Sequence, residues 1–554
     1  MKILLTTLNA KYIHTSLAVR SLKKSCRDFD ITAREYTIND NIDSVIADIY
    51  LFGADAVAFC CYIWNISQTL YICECLKKAN PDIVTILGGL EVSYDSEDIM
   101  SKNPFVDFVV RGEGEVPLNL LFKELENGKQ FKNVPSLTYR FGERIRINPP
   151  AAPQDINSHE FVYDDETDEV KNKIIYYESS RGCPYNCSYC LSGVGSGVSF
   201  LDTERVKREI KFFNDKKIPL VKFVDRTFNA DKKRADELFK YIIENKSETK
   251  FHFELAGDLI TDNTIEILRN APDGLMQFEI GVQSTNPETI EAIGRKIDFN
   301  KLKGRILELL KIGTIHIHLD LIAGLPYEDL ASFKKSFNDV ISLKPHMLQL
   351  GFLKLLKGSR IRRESKKYNY IFKSAPPYEI ISNDFMSFAD ICYLKKIENV
   401  LDFYYNSGDY KYTMEYIFKN FESVFDAFDV LVKYYEKNGL FKIGLSHDAR
   451  CDAMLGAFDF FDDEFKDSVG FDRMLNRKCK IRSISSHNEK FKEKCFEFLK
   501  NTDNLNKYLC EFREIPAKKI IKFVLIERFL DRIWMYNLKN GKLCDITEDF
   551  IVER

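Results

Sequence analysis

Short apolar runs, each followed by a helical stretch, recur through the first two-thirds of the chain, and that rhythm leaves few folds open. Met1 to Leu8, Ala54-Asp-Ala-Val-Ala-Phe-Cys60, Ile83-Val-Thr-Ile-Leu87 and Phe105-Val-Asp-Phe-Val-Val110 read as buried strands, with helical stretches such as Ser67 to Ala79 between them. Alternation of this kind predicts a parallel, doubly wound sheet whose ligands sit outside the carboxyl ends of its strands. Unusual residues gather at those ends: Asn9 to His14, Tyr62 to Asn65, Gly88-Gly-Leu-Glu-Val-Ser93 and Arg111-Gly-Glu-Gly-Glu115. A second series follows Asn148-Pro-Pro-Ala-Ala-Pro153 and the acidic run Asp164-Asp-Glu-Thr-Asp-Glu169, which together read as an extended connection. Its strands are Ile174 to Ser179, Leu220 to Val224, Lys250 to Glu254, Leu275 to Ile280, Ile315 to Ile322 and Met347 to Phe352. Helices such as Thr203 to Asn214, Lys232 to Asn245 and Asp329 to Ser342 fill the gaps, so six β/α units predict a partial barrel rather than an eight-fold one.

The first strand of that second series runs into Glu178-Ser-Ser-Arg-Gly-Cys-Pro-Tyr-Asn-Cys-Ser-Tyr-Cys190, which sets Cys183, Cys187 and Cys190 on one tight loop in a C-x3-C-x2-C pattern. Iron–sulfur cubanes are normally held by four thiolates, so three leave one iron open to a further ligand. Structural zinc wants four ligands, usually as two separated pairs, and neither a second CxxC nor a nearby His pair completes such a set.

The pattern resembles the radical S-adenosylmethionine (SAM) superfamily, whose signature is C-x3-C-x-aromatic-C, with Tyr189 as the aromatic residue. The resemblance implies a [4Fe-4S] cluster on Cys183, Cys187 and Cys190, whose open iron chelates SAM, and cleavage of SAM to a 5′-deoxyadenosyl radical. It also implies that Glu254, Gln283 and Ser284 reach the ribose or methionine part of SAM, and that Gly324, Pro326 and the Tyr189 backbone line its adenine. The Gly88-Gly89 pair and the Arg111-Gly-Glu-Gly-Glu115 run look like the cobalamin-binding domain found ahead of many radical SAM domains. On that likeness Asn9, Tyr62, Gly88, Gly89, Arg111, Gly112 and Glu113 are cobalamin-binding candidates. The older D-x-H-x-x-G cobalamin pattern is not met, since Tyr12 precedes His14 where an Asp is required. A Rossmann-like domain without cofactor is the competing reading.

His316, His318 and Asp320 alternate on one strand and share a face. They are candidate substrate ligands or proton donors in the barrel lumen, together with Arg295 from the Ala292-Ile-Gly-Arg-Lys296 loop. The last third carries helix-period stretches at Asp390 to Tyr405, Met414 to Glu436 and Ala517 to Asn537 and no catalytic motif. The expected fold is α/β, with a Rossmann-like cobalamin-type domain (1–135), a linker (136–172), a radical SAM partial (β/α)6 barrel (173–365) and a mostly α-helical cap (366–554).

A formal net charge of −3 offers no global field for nucleic acid or an anionic membrane, and no basic stripe compensates. Without an apolar run that spans a bilayer or a signal-peptide pattern, a cytoplasmic enzyme with a small-molecule substrate is expected. Cys60, Cys61, Cys73 and Cys75 read as small buried hydrophobes. The resemblance implies a flavodoxin- or ferredoxin-type reductant. Three functions fit: a radical lyase, with queuine lyase in 7-deazaguanine salvage as the leading specific reading; a cobalamin-dependent C-methyltransferase; and a non-catalytic cobalamin or redox sensor.

Overall fold

The computed structural model describes residues 1–164, 171–193, 197–476 and 488–550, so most of the acidic run at 164–169 lies outside the described residues. Two compact units emerge: Met1–Ser336 with Leu348–Ile391, and Phe337–Met347 with Cys392–Arg554.

The first unit holds two sheets. In one, β1 (Lys2–Asn9), β2 (Asp30–Thr37), β3 (Ala56–Cys60), β4 (Val84–Gly88), β5 (Phe108–Val110), β6 (Leu137–Phe141) and β7 (Arg144–Ile147) lie in the order β2-β1-β3-β4-β5-β6-β7. β1 to β5 run parallel, and β6 and β7 form an antiparallel hairpin on the edge. The central strands are apolar on both faces because helices cover both, and Cys60, Cys61 and Cys73 are buried among them as expected, with Cys75 half-buried. Two features differ from the sequence reading. β2 is an edge strand of mixed polarity (Asp-Ile-Thr-Ala-Arg-Glu-Tyr-Thr), which hides it from a search for apolar runs. The segment expected to begin the linker at 136 instead supplies β6 and β7, with Leu137 and Tyr139 in the core, so this domain reaches residue 147.

The barrel sheet comprises β8 (Ile174–Tyr177), β11 (Leu220–Phe223), β12 (Lys250–Leu255), β13 (Met276–Gln283), β14 (His316–Ala323) and β15 (Met347–Phe352), in the order β15-β14-β13-β12-β11-β8. It is the expected six-stranded partial barrel. A short ribbon, β9 (Ser180–Gly182) paired with β10 (Val198–Phe200), follows β8. On the outer face Phe253 and Phe278 pack on Phe239 of the helix Lys232–Glu244, at ring separations of 5.3 and 5.5 Å. Each such ring, fully buried, contributes about 1.5–3 kcal/mol. The chain beyond the barrel stays with this unit to Ile391, including the ribbon β16 (Ile371–Phe372) and β17 (Ile380–Ser382).

The second unit is mostly helical, as expected. The helical stretch expected at Met414 to Glu436 is two helices, Lys411–Asn420 and Val424–Lys437: the first ends where Phe421 turns extended, and Ser423 caps the second. The stretch Ala517 to Asn537 is not helical beyond Ile520. It folds into β18 (Val524–Phe529) and β19 (Arg532–Asn537), extended by β20 (Leu543–Asp545). Leu530 and Asp531 both take positive φ (53° and 57°), the two-residue turn that twists with a hairpin, and the β-branched and aromatic residues around it suit strands.

Candidate active site

Asp225, fully buried at the end of β11, fixes where the cysteine loop starts. Its carboxylate accepts Ser179 N at 2.7 Å, Ser179 Oγ at 2.5 Å and Ser180 N at 3.0 Å, while Arg234 donates to Ser179 O at 3.0 Å. Gly182 has φ +100°, and a Cβ there would meet Gly197 O at 2.4 Å, so this entry needs glycine. Beyond it Cys183, Cys187 and Cys190 are half-buried. Ser188 N donates to Ile293 O at 2.8 Å and Ile361 N donates to Ser188 O at 2.9 Å, which holds the loop from two sides.

The Tyr189 hydroxyl accepts from Arg295 Nη1 at 3.0 Å, and Arg295 Nη2 donates to Gly281 O at 2.6 Å. Arg295, expected at the substrate, therefore ties the cysteine loop to β13, because its fork reaches a phenol and a carbonyl at once. Ser192 N donates to Cys190 Sγ at 3.3 Å, and Thr227 Oγ1 lies 3.4 Å from Cys183 Sγ. Among the described residues no three His, Cys, Asp or Glu side chains converge on a single ion. The thiolates of a cubane bind different irons, so a single-ion site is not what such a loop requires.

With the outer face of the barrel apolar, alternation turns the polar residues inward. The ladder sets Glu254 opposite Glu279 and Glu279 opposite His318, Lys222 opposite His252, and Gly281 opposite Asp320. Glu279 is the hub: Lys222 Nζ stands 3.5 Å and His252 Nε2 3.3 Å from its Oε2. Burial pushes the Glu279 carboxyl up, but the His252 bond and the charges of Lys222 and His318 outweigh it and hold it at about 2. Burial lowers the pKa of His252, so the neutral ring gives its Nε2 proton to Glu279 and leaves Nδ1 a buried acceptor with no partner among the described residues. His318 Nε2 lies 3.1 Å from Asp320 Oδ1; burial lowers this imidazole's pKa, and Asp320 more than restores it. Arg226 Nη1 lies 3.8 Å from Glu254. His316, His318, Asp320 and Glu254 thus share one face. Lys222 and His252 also belong to this face: His252 stands two residues before Glu254 on β12, a spacing visible in the sequence, whereas Lys222 joins only through its register opposite His252.

Of the other residues expected at SAM, Ser284 and Gly324 have protein partners, whereas Gln283 Oε1 is a buried acceptor with none among the described residues. Gln283 takes φ 72° at a register shift in β13, which breaks the alternation and sends Ser284 away from the lumen. Ser284 Oγ donates to buried Glu328 at 2.5 Å. Gly324 O accepts from Tyr370 at 3.0 Å and Asn383 at 3.1 Å, and Pro326 is buried.

At the carboxyl edge of the first sheet, Trp64, Leu90 and Tyr94 expose apolar surface beside Tyr12 and Ile13, and Tyr62 stacks on Trp64 at 4.4 Å. These side chains stand on the segments after β1, β3 and β4, which neighbour one another in the sheet, and make an apolar shelf there. The polar candidates there are engaged. Asn9 donates to Glu35 at 2.6 Å, Arg111 donates to Asn148 O, and Glu113 faces Arg181 at 3.5 Å. Gly89 (φ +109°) is required by Cys61, whose carbonyl oxygen a Cβ would meet at 2.5 Å; Gly112 has open space but a left-handed φ of +71°, and Gly88 leaves room for a Cβ. His14 Nδ1 shares a proton with Tyr176 OH at 2.7 Å and so is committed to the barrel.

Residues 3–122 match the B12 binding domain family, residues 177–340 the radical SAM superfamily, and residues 366–546 a family described as a protein of unknown function, DUF4080. The chain carries a B12-binding domain followed by a radical SAM domain. Its similarity to 2-(S-pantetheinyl)-carbapenam-3-carboxylate methyltransferase of Streptantibioticus cattleyicolor is 25% identity over 58% of this chain and 50% of that one. With the cobalamin-dependent radical SAM methyltransferase TokK of Streptomyces tokunonensis it shares 26% identity, again over 58% and 50%. The chain thus spans about half the length of these curated relatives. Among solved structures, the cobalamin-dependent SAM radical enzyme OxsB overlays with a TM-score of 0.58 at 13% identity, over 92% of this chain and 75% of that one. The radical SAM methyltransferase TsrM from Kitasatospora setae overlays at 0.58 and 14% identity, over 68% and 78%. These overlays show the fold. The two domains take cobalamin, a [4Fe-4S] cluster and SAM, and the cysteine loop and apolar shelf suit them. Among the described residues no helix is long and apolar enough to cross a membrane.

Proposed function

We propose that the chain is a cobalamin-dependent radical SAM methyltransferase acting on a small polar molecule. The carrying observation is that one compact unit joins a B12-binding sheet, with an apolar shelf at its carboxyl edge, to the three-cysteine loop. The curated relatives named above are methyltransferases, which favours this reading over queuine lyase, the leading reading of the sequence. When bound, the cluster supplies the electron that cleaves SAM and cobalamin carries the methyl group. The chain's own residues do the rest. Cys183, Cys187 and Cys190 hold the cluster, Arg295 and Asp225 fix their loop, and the lumen groups seat the substrate. His252 keeps its Nε2 proton on Glu279 and presents Nδ1 as an acceptor, while His318 and Asp320 offer a proton donor beside a carboxylate. A lumen so lined penalises an apolar substrate, which would strand buried polar groups. The electron source is a flavodoxin- or ferredoxin-type donor.

The test is a product count from anaerobically reconstituted protein with reductant, with queuine or a panel of polar metabolites, cobalamin added or omitted. Methylated product and S-adenosylhomocysteine that need cobalamin support methyl transfer. Turnover of queuine to a deazaguanine without cobalamin would overturn it.

A further inference from the structure

Arg181 lies on β9 two residues before Cys183, and three carboxylates surround it. Its Nη2 donates to Glu178 Oε2 at 2.8 Å and to Glu115 Oε1 at 2.9 Å, its Nε to Glu178 Oε1 at 3.1 Å, and Nη1 stands 3.5 Å from Glu113 Oε1. Glu178 belongs to the barrel, but Glu113 comes from the loop after β5 and Glu115 from the first turn of the helix Glu115–Asn127, both in the B12-binding domain. Glu115 is anchored within that domain and Glu113 in the connection that follows it. Glu115 Oε1 also accepts Ser21 Oγ at 3.2 Å, and Glu113 Oε2 accepts Gln154 N at 3.2 Å. Glu115 is 7% exposed, so this contact is screened little by solvent. The planar guanidinium grips Glu178 through Nε and Nη2 while Nη2 also reaches Glu115, a bidentate geometry that a lysine does not reproduce.

We infer that Arg181 is a positioning residue that fixes the distance between the cluster and cobalamin by ion-pairing the cysteine strand to Glu113 and Glu115 of the B12-binding domain. One cation stands among three anions, so its loss leaves Glu113, Glu115 and Glu178 facing each other in partly buried surroundings. Their mutual repulsion then parts the two domains at this point. A lysine restores the charge but reaches one carboxylate well rather than two.

The inference rests on the cofactor assignment above, and on the methyltransferase reading only for its product ratio. The experiment uses holoenzyme carrying reduced cluster and cob(II)alamin, and measures the magnetic interaction between the two centres by electron paramagnetic resonance, with iron and cobalamin counted per chain. Arg181→Ala is expected to keep both cofactors while the interaction weakens or broadens. Methylated product per 5′-deoxyadenosine should fall by roughly tenfold or more, as misplacement of reacting groups does. Adding Glu113→Gln and Glu115→Gln to Arg181→Ala removes the repulsion and should restore part of the interaction. Should Arg181→Ala fail to fold, the same spectrum of Arg181→Lys decides, with an intermediate interaction expected. An unchanged interaction in either variant overturns the inference. So does loss of iron with cobalamin binding intact, which would make Arg181 a support of the cysteine loop alone. Wild-type enzyme that transfers no methyl group would sink the functional reading while the magnetic measurement still decides the role of Arg181.

Discussion

Glu328 has no solvent exposure, and its Oε1 accepts Ser284 Oγ at 2.5 Å and Ser336 Oγ at 2.8 Å. Each hydroxyl in turn accepts a backbone N–H, Asn286 at 3.0 Å and Thr285 at 3.1 Å, so both serine protons are directed at one carboxylate oxygen. Oε2 has no partner among the described residues, and burial pushes the carboxyl up to about 7. A folded-state pKa above the unfolded value stabilises fully below about 4.5 and loses that contribution as pH rises through about 7. Melting temperature should therefore fall between about pH 4.5 and 7 and level off above, and Glu328→Gln should flatten that fall by roughly 1–3 kcal/mol in stability. A Gln variant with the wild-type pH profile would assign the dependence to other groups. At the same scale, Cys183→Ala should abolish SAM cleavage, read as 5′-deoxyadenosine, with the melting of the B12-binding domain unchanged. Retained cleavage would remove Cys183 from the ligand set.

Elements show where the sequence was legible. Strands buried on both faces, such as β1, β3 and β4, announce themselves as continuous apolar runs, and the barrel strands alternate. The cysteine loop was readable because its ligands are local. What stayed hidden depends on contacts distant in sequence. The β6–β7 hairpin is recognisable only once β5 offers it an edge, and Ser284 looked lumen-facing because the positive φ of Gln283 leaves no mark in the residue order. The β18–β19 hairpin was misread because its apolar residues fit a helical period as well as a strand, and Leu530-Asp531 lacks the glycine that signals such a turn. That absence is testable. Leu530→Asn with Asp531→Gly suits both positive φ values and should stabilise the second unit by about 0.5–1 kcal/mol, read as a higher urea midpoint. By contrast Gly182→Ala sets a Cβ against Gly197 O and should lower iron per chain while cobalamin binding persists.

On the scale of the whole molecule, the second unit is not a tail that begins after the barrel. Its core includes Phe337, fully buried, whose ring meets Phe425 at 5.2 Å and Phe428 at 5.8 Å, and Asn338, which donates to Ser423 Oγ at 3.0 Å and accepts Phe425 N at 2.9 Å. A chain ending at residue 391 is therefore expected to expose Phe337, Val340 and Ile341 and to aggregate on expression, as judged by size-exclusion chromatography. A monodisperse 1–391 product would show that the borrowed segment finds other cover.

That borrowed segment also bears on ancestry. The DUF4080 match opens at residue 366, as though a cassette had been appended there, yet the eleven residues Phe337–Met347 complete the unit from inside the barrel's own stretch of chain. A domain keyed in this way does not travel alone. Recombination that carried the last third into another lineage would have to bring the 337–347 segment with it, so barrel and C-terminal unit should be inherited together, and chimaeras between distant relatives should work only when the junction lies before residue 337.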